Sequence, residues 1–247
     1  MDLGIGGRNA LVAASSAGLG LATAQALALA GCRVVISGRH QDRLQIAAES
    51  VPGAITIVAD VSDTAGATRL VDDARAALGS IDILVTNAGG PPAGNFASTS
   101  LDAYQTALDL NLLSVVALCK AAVPAMQERR WGRVVAITSI AVKQPIAHLI
   151  LSNTARAGAT GFLKTLALEV AADGVTVNSV LPGLHSTDRL RQLYGDSLET
   201  TAGSLPMRSF GDPGDFGRVT AFLCSEHARF ITGVALPVDG GAYRGLL

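Results

Sequence analysis

The sequence has few charged residues, few aromatic residues and only three cysteines. Charged residues make up 16% and aromatic residues 4% of the 247 residues, whereas hydrophobic residues make up 49%. This composition excludes a disordered chain and predicts a protein with a continuous buried core. Because the net charge is only −1, no basic surface is indicated, and we expect no nucleic-acid partner.

The three cysteines, Cys32, Cys119 and Cys224, lie far apart along the chain. Their spacing is not that of metal ligands, so the sequence predicts reduced, packed thiols and no metal site. The N-terminus also lacks a basic region ahead of an apolar stretch, which argues against a signal peptide. We therefore expect a cytoplasmic protein.

One long stretch without charge lies between Arg8 and Arg33, and it is long enough to span a bilayer. The segment Ser15-Ser16-Ala17-Gly18 interrupts it with a turn, and Gly31 closes it. A short buried strand, a glycine turn and a buried helix explain this pattern better than a membrane span. No membrane partner is expected.

Apolar runs rich in Val and Ile alternate with longer stretches of helical periodicity. Such alternation is typical of a parallel sheet that is covered by helices on both faces. The sequence therefore predicts an α/β protein: one Rossmann-fold domain over residues 1–247, with a doubly wound parallel sheet of about seven strands. The irregular segment 184–212 follows the carboxyl end of a strand and is predicted to be a substrate lid. Strands are predicted near 10–13, 33–36, 55–58, 81–85, 133–137, 175–178 and 234–238, and helices near 18–30, 40–50, 63–78, 100–129, 146–172 and 213–225.

A glycine turn, Ala13 to Gly20, follows the first predicted strand and opens the first predicted helix. Gly18 and Gly20 allow the backbone to approach a ligand closely, and the free amides at the helix N-terminus favour negative charge. The turn is interpreted as a binding site for the pyrophosphate of a dinucleotide.

Several motifs, in order and in register, resemble those of the short-chain dehydrogenase/reductase family over essentially the whole chain. Its TGxxxGxG motif aligns with Ala13 to Gly20, although Ala13-Ala14 stands where that motif has Thr-Gly. Matching motifs follow at Asp60-Val61, Thr86-Asn87-Ala88-Gly89, Asn111, Pro182-Gly183 with Thr187, Thr232-Gly233 and Val238-Asp239-Gly240-Gly241. The resemblance implies a homotetramer or homodimer. It also implies these cofactor-binding residues: Ser15, Ser16, Gly18, Leu19, Gly20, Asp60, Val61, Asn87, Ala88, Gly89, Pro182, Gly183 and Thr187.

The choice of cofactor is expected to depend on the end of the second strand. An acidic side chain there usually binds the ribose hydroxyls of NAD, whereas a guanidinium accommodates the 2′-phosphate of NADP. The sequence reads Ser37-Gly38-Arg39-His40, with no acid before Asp42. Arg39 is therefore predicted to bind the 2′-phosphate, and NADP is favoured over NAD.

The catalytic positions depart from the family pattern. The resemblance implies that Ser139 polarises a substrate carbonyl and that Asn111 belongs to the site. The family's spacing then places Ser152 where it has the proton-donating Tyr and Arg156 where it has Lys. A serine hydroxyl is shorter and far less acidic than a phenol of pKa about 10. An arginine of pKa about 12.5 can hold ribose oxygens but scarcely donates a proton.

Four other sources of the proton remain open. Lys143 lies four residues after Ser139, and His148 shares a face with Ser152 and Arg156 if the spacing is helical. A water held by Ser152, or Tyr194 in the predicted lid, could serve instead.

Three functions are compatible with this sequence. The first is an NADP-dependent reductase of 3-oxoacyl type, with an unusual proton donor, that acts on a small-molecule carbonyl or acyl thioester. The second is a nucleotide-binding protein without turnover that acts as a sensor or partner subunit. The third is a non-redox lyase or isomerase on the same scaffold.

Overall fold

The computed structural model describes residues 1–246, apart from the side chain of Asp196. Its seven strands form one sheet of order β3-β2-β1-β4-β5-β6-β7, and all neighbouring strands are parallel. The predicted α/β Rossmann fold is thereby confirmed. The predicted domain range, 1–247, ends one residue beyond the described part. The strands are β1 (Asn9–Val12), β2 (Arg33–Gly38), β3 (Ile55–Val58), β4 (Ile83–Thr86), β5 (Gly132–Ile137), β6 (Val175–Pro182) and β7 (Ala235–Val238).

Helices connect the strands. Two of the observed helices have bounds that differ from those predicted from the sequence. The predicted helix 100–129 is composite, since a π-helical turn at Asp109–Leu113 separates α4 from α5. The predicted helix 146–172 begins only at Ile150. The α-helices are α1 (Gly18–Leu29), α2 (Gln41–Glu49), α3 (Thr64–Leu78), α4 (Leu101–Leu108), α5 (Ser114–Glu128), α6 (Ile150–Val170), α7 (Asp188–Tyr194), α8 (Leu198–Ser204) and α9 (Pro213–Leu223).

Alternating side chains of the strands build a hydrophobic core on each face of the sheet. Leu11 of β1 belongs to the core beneath α3, α5 and α6. Its neighbours Ala10 and Val12 belong to the opposite core, beneath α1, α2 and α9. Because successive strand residues point to opposite faces, a strand covered on both sides must be apolar throughout. Burial on both faces of the sheet therefore explains the continuous runs of Val and Ile in the sequence.

The strand order reverses between β1 and β4, which are adjacent although β2 and β3 separate them in the chain. Connections on the two sides of this point leave in opposite directions and open a crevice beyond the carboxyl ends of the strands. Open α/β sheets bind their ligands at such a crevice. The topology therefore locates the candidate site beyond β1, β4 and β5.

The predicted state of the cysteines is confirmed, because all three are free and buried. Burial raises the pKa of the Cys32 and Cys119 thiols to about 12 and also raises the pKa of Cys224. The thiols are therefore protonated and unreactive near neutral pH.

Within residues 1–246, one helical stretch, Leu101–Glu128, is long and apolar enough to cross a membrane. Half of its most apolar window is buried inside the protein, as in the core helix of an α/β fold. The uncharged stretch between Arg8 and Arg33 forms β1, a turn and α1 instead, as the sequence predicts.

Candidate active site

The glycine turn after β1 is held in place by close contacts. Ala14 has φ +46°, a left-handed conformation that glycine adopts without strain. The Nδ2 of Asn87, beyond β4, donates to the Ala14 carbonyl oxygen at 3.0 Å. A Cβ on Gly20 would lie 2.7 Å from this Nδ2 and 2.8 Å from the Ala14 oxygen. Gly20 thus allows α1 to approach β4 at the crevice.

Ser15, a predicted cofactor-binding residue, has a structural side chain instead. Its hydroxyl donates to the Val12 carbonyl at 2.7 Å and accepts from the Ser37 backbone N–H at 3.0 Å, and it is fully buried. A buried hydroxyl is stable only when it is bonded in this way. The Ser15 side chain therefore ties the turn to β2 rather than contacting a ligand.

Two cavities meet at the crevice, which we call the β2 cavity and the β5 cavity. The β2 cavity has a volume of about 600 Å³ and the β5 cavity about 370 Å³. Both are lined by Ala14, Ala17, Gly89 and Gly90, so they adjoin. Of the residues predicted to bind the cofactor, the β2 cavity includes Ser16, Arg39, Asp60 and Val61, and the β5 cavity includes Gly18, Leu19, Asn87, Ala88, Arg156, Pro182, Gly183 and Thr187.

The β2 cavity has a cationic end. Arg39, His40 and Arg43 line it, whereas Asp42 does not. Arg43 was not predicted from the sequence. Arg39 precedes α2 and Arg43 lies in its first turn, so no helical spacing relates them, and the turn between β2 and α2 brings both side chains to this cavity.

Ser139 lies in the β5 cavity just beyond β5. Its side chain caps a 3₁₀ turn, Ile140–Val142, where the hydroxyl oxygen accepts from the Ala141 N–H at 3.1 Å. A hydroxyl that accepts from a backbone amide still has its own proton to donate. Ser139 is therefore a fixed donor that can bind a ligand oxygen.

Arg156 extends from α6 to the same end of β5. Its Nη1 donates to the carbonyls of Ile137 at 3.1 Å and Thr138 at 3.2 Å, while its side chain lines the cavity. Burial, and secondarily the positive charge of Arg189, lower the pKa of Arg156 to about 10. The guanidinium is thus charged at neutral pH and held by the strand.

Ser152 and Asn111 are both buried, at 8% and 2% exposure, and neither lines the two cavities. Asn111 lies in the π-helical turn, a feature common at functional sites. Within the described chain, its amide nitrogen and oxygen are buried without a hydrogen-bond partner. Such an amide needs partners from bound water or ligand, because an unsatisfied buried group is costly.

The structure does not bring Lys143 or His148 into the cavity. The Lys143 ammonium lies 5.4 Å from the centroid of the Tyr243 ring, and the residue is exposed. His148 precedes α6 in an exposed turn with φ +59°, so it does not share a helix face with Ser152. These two candidates for proton donation therefore lack support from the geometry.

The segment 184–212, predicted to be irregular, contains two helices, α7 and α8. Thr187 begins α7 by accepting from the Leu190 N–H at 3.4 Å, and Leu190, Leu193 and Tyr194 then line the β5 cavity. Their spacing, i, i+3 and i+4, is typical of one helix face and would have predicted a helix here.

Other residues of this segment that were not predicted also line the β5 cavity, among them His185 and Arg189. His185 is buried against Phe216, and burial lowers the pKa of His185, which keeps its ring neutral at neutral pH. Arg189 donates to the Pro91 carbonyl at 3.0 Å, on the opposite side of the crevice. Arg189 reaches the cavity from α7, whereas His185 precedes that helix, in the segment that follows β6.

Comparison with known proteins gives matches over nearly the whole chain. Residues 13–243 match the family model described as enoyl-(acyl carrier protein) reductase. Dehydrogenase/reductase SDR family member 4 of Oryctolagus cuniculus is 38% identical over 94% of this chain and 92% of its own. The 3-oxoacyl-(acyl-carrier-protein) reductase FabG of Escherichia coli is 33% identical over 96% and 98%. The structure of L-sorbose reductase from Gluconobacter frateurii, complexed with NADPH and L-sorbose, superimposes with a TM-score of 0.93 at 33% identity, covering 100% of both chains.

Proposed function

The chain belongs to the short-chain dehydrogenase/reductase family, and on that premise we propose that it is an NADPH-linked carbonyl reductase with an unusual proton donor. One observation carries the proposal. The Ser139 hydroxyl and the Arg156 guanidinium are fixed at the end of β5, in a cavity that continues into the glycine turn. A carbonyl there would meet a hydrogen-bond donor next to a dinucleotide site.

The residues of the crevice fit a bound dinucleotide. The amides of the glycine turn and the start of α1 suit a pyrophosphate. Arg39 and Arg43 suit a 2′-phosphate at the far end of the β2 cavity, where Asp42 stays out of the lining. When bound, the reduced nicotinamide supplies the hydride. The NADPH complex of the similar L-sorbose reductase supports NADP over NAD.

The double variant Arg39→Ala/Arg43→Ala is expected to raise the Kd for NADPH by about 10- to 100-fold, because two charge-assisted bonds to the phosphate are lost. The Kd for NADH should stay unchanged, since NADH lacks that phosphate. Fluorescence titration of both nucleotides measures this difference. Arg69→Ala, an exposed arginine of α3, is the matched control. If the double variant bound NADH and NADPH more weakly by the same factor, the proposed role of Arg39 and Arg43 in phosphate binding would be refuted.

Ser139 and Arg156, at the end of β5, are proposed to have different roles. Ser139 donates to the substrate oxygen, on which negative charge develops during reduction. Arg156 stays protonated and anchored, so it holds ligand oxygens but supplies no proton near neutral pH. We infer that Ser152 and Arg156 replace the Tyr and Lys of the resembled family, which leaves proton donation to another group.

We propose that the phenol of Tyr194 delivers this proton from the lid. Tyr194 is half-buried and lines the β5 cavity together with Ser139. The acid of the resembled family is also a phenol. Here the phenol would enter the site from α7, whereas the family's Tyr position, Ser152, is in α6. Among the other ionisable residues of the lining, His185 is neutral and Asp188 is bound to Arg191. The other two, Arg156 and Arg189, are guanidinium groups, which are poor acids.

The substrate is proposed to be a small carbonyl compound, with an acyl thioester as the alternative. The β5 cavity, about 370 Å³, is of the size that holds small molecules. The similar proteins named as reductases of L-sorbose and of 3-oxoacyl groups act on carbonyls of both kinds.

Turnover tests the function directly. Protein mixed with NADPH and a panel of ketones, 2-oxo acids and 3-oxoacyl thioesters should consume NADPH, measured by its absorbance. Ser139→Ala should lower kcat by about 10²–10³-fold, because a donor to the developing oxyanion is removed. Tight NADPH binding without consumption would refute the reductase. Product formed without an absorbance change would indicate the lyase or isomerase.

A nucleotide-binding protein without turnover is the second candidate. One observation favours it: Ser152 and Asn111, at positions that match catalytic ones in the resembled family, lie outside the lining of both cavities. Such a sensor would bind NADPH at the crevice and leave it unchanged. The predicted cytoplasmic location and the predicted homotetramer or homodimer stay predictions.

A further inference from the structure

Two arginines in the β5 cavity have no carboxylate partner. Arg156 enters the cavity from α6 and Arg189 from α7. Within residues 1–246, neither guanidinium forms an ion pair. Asp188, the carboxylate that lines this cavity, is bound to Arg191 at 2.6 Å. The cavity therefore has a surplus of positive charge beside the Ser139 hydroxyl.

Arg189 connects the two sides of the crevice. Its Nη2 donates to the Pro91 carbonyl at 3.0 Å, in the loop that follows β4. The guanidinium lies against Gly90, where an added Cβ would be 3.2 Å from Nη2. Within the described chain, Nη1 and Nε of Arg189 make no hydrogen bond. One guanidinium nitrogen is thus anchored, and the others are available to a ligand.

Two neighbouring guanidinium groups repel each other, and burial increases the cost of this repulsion. Both effects lower the pKa of Arg156, burial more than the charge of Arg189. An anion placed between the groups would remove this cost. Planar guanidinium groups bind carboxylates through paired, charge-assisted hydrogen bonds.

We propose that Arg156 and Arg189 together bind a carboxylate of the substrate, so that the protein reduces small oxo acids. The inference rests on the proposed reductase function and narrows its substrate class. Both arginines line the cavity that contains Ser139, whereas the cations suited to the 2′-phosphate, Arg39 and Arg43, line the other one. A pyrophosphate of the cofactor is the other anion that two guanidinium groups could bind.

Binding to the protein–NADP⁺ complex tests the inference without turnover, because the oxidised cofactor cannot reduce the probes. The probes are 2-oxopentanoate, 4-oxopentanoate and their methyl esters, titrated by calorimetry. At least one acid should bind about 10- to 100-fold more tightly than its ester, as expected for charge-assisted bonds. Arg189→Gln, which keeps a donor for Pro91 but removes the charge, should abolish this preference and leave the affinity for the ester unchanged. Arg189→Lys, which keeps a positive charge, should retain part of the preference for the acid over the ester.

Arg218→Gln is the matched control, because Arg218 is an exposed arginine of α9, and both it and its ion-pair partner Asp215 lie outside the cavity lining. This variant should retain the preference for the acid. Equal affinities of acid and ester would overturn the inference. It would also be overturned if Arg189→Gln weakened NADPH binding and preserved the preference, because the charge would then serve the cofactor. A preference for the acid without NADPH consumption would contradict the proposed function alone.

Discussion

Tyr194→Phe is expected to lower kcat for carbonyl reduction by about 10²–10⁴-fold, the usual contribution of a general acid. The substitution keeps the ring that lines the β5 cavity and removes only the hydroxyl. The Kd for NADPH should change little, because the aromatic ring is retained and the cations suited to the 2′-phosphate line the β2 cavity instead. Single-turnover kinetics at saturating NADPH measure the chemical step separately from binding.

Two variants serve as controls for this result. Tyr104→Phe removes a phenol from α4, outside the lining of both cavities, and should leave kcat unchanged. Lys143→Ala should also leave kcat unchanged, because the Lys143 ammonium lies over the Tyr243 ring. A Tyr194→Phe enzyme with the original kcat would exclude the lid phenol and favour a water held near Ser152. A raised KM with the original kcat would indicate that Tyr194 only packs against the substrate.

Gly217→Ala is expected to destabilise the fold by about 3 kcal/mol, near the upper end of the usual cost of overpacking. Gly217 lies in α9, which packs directly against α1. An added Cβ would overlap the Ala22 carbonyl oxygen, which is backbone, so the two helices must separate. Because α1 begins at the glycine turn, the same shift should weaken NADPH binding. Urea unfolding with and without NADPH measures both effects.

Gly161→Ala is the matched control for Gly217→Ala. It is also a glycine-to-alanine change inside a helix, α6, but an added Cβ at Gly161 meets nothing within 4 Å. Helix propensity alone should then stabilise the protein by up to about 1 kcal/mol. If both substitutions changed stability equally, close packing of α1 on α9 would not be the reason for the glycine at 217.

Much of the fold could be predicted because its signals are local. Apolar runs such as Val34-Val35-Ile36 indicate strands buried on both faces, and the intervening helical periodicity fixes a parallel sheet. The motifs around Gly18 and Asn87 indicate their own turns, since the sequence of a turn largely determines its backbone. The bounds of helices were less predictable, as His148 shows, because a left-handed residue ends the helical pattern without any break in residue type.

The proton donor could not be predicted from the sequence in the same way. Lys143 and His148 are close to Ser139 and Ser152 along the chain, yet the structure turns both side chains out of the cavity. Tyr194 and Arg189 are distant in sequence and line it. Which side chains meet in the cavity depends on how segment 184–212 packs against the rest of the fold, and no local sequence pattern specifies this packing.

The sequence by itself indicated the family and a parallel sheet covered by helices, and its spacing predicted that Ser139, Ser152 and Arg156 occupy the positions of the family's catalytic residues. These properties reside in motifs whose spacing is set by single turns and helices. Only the tertiary structure decided which charged groups share the β5 cavity. It placed Arg189 of α7 with Arg156 of α6, because the packing of segment 184–212 beside the crevice, and not sequence distance, brings their charges together.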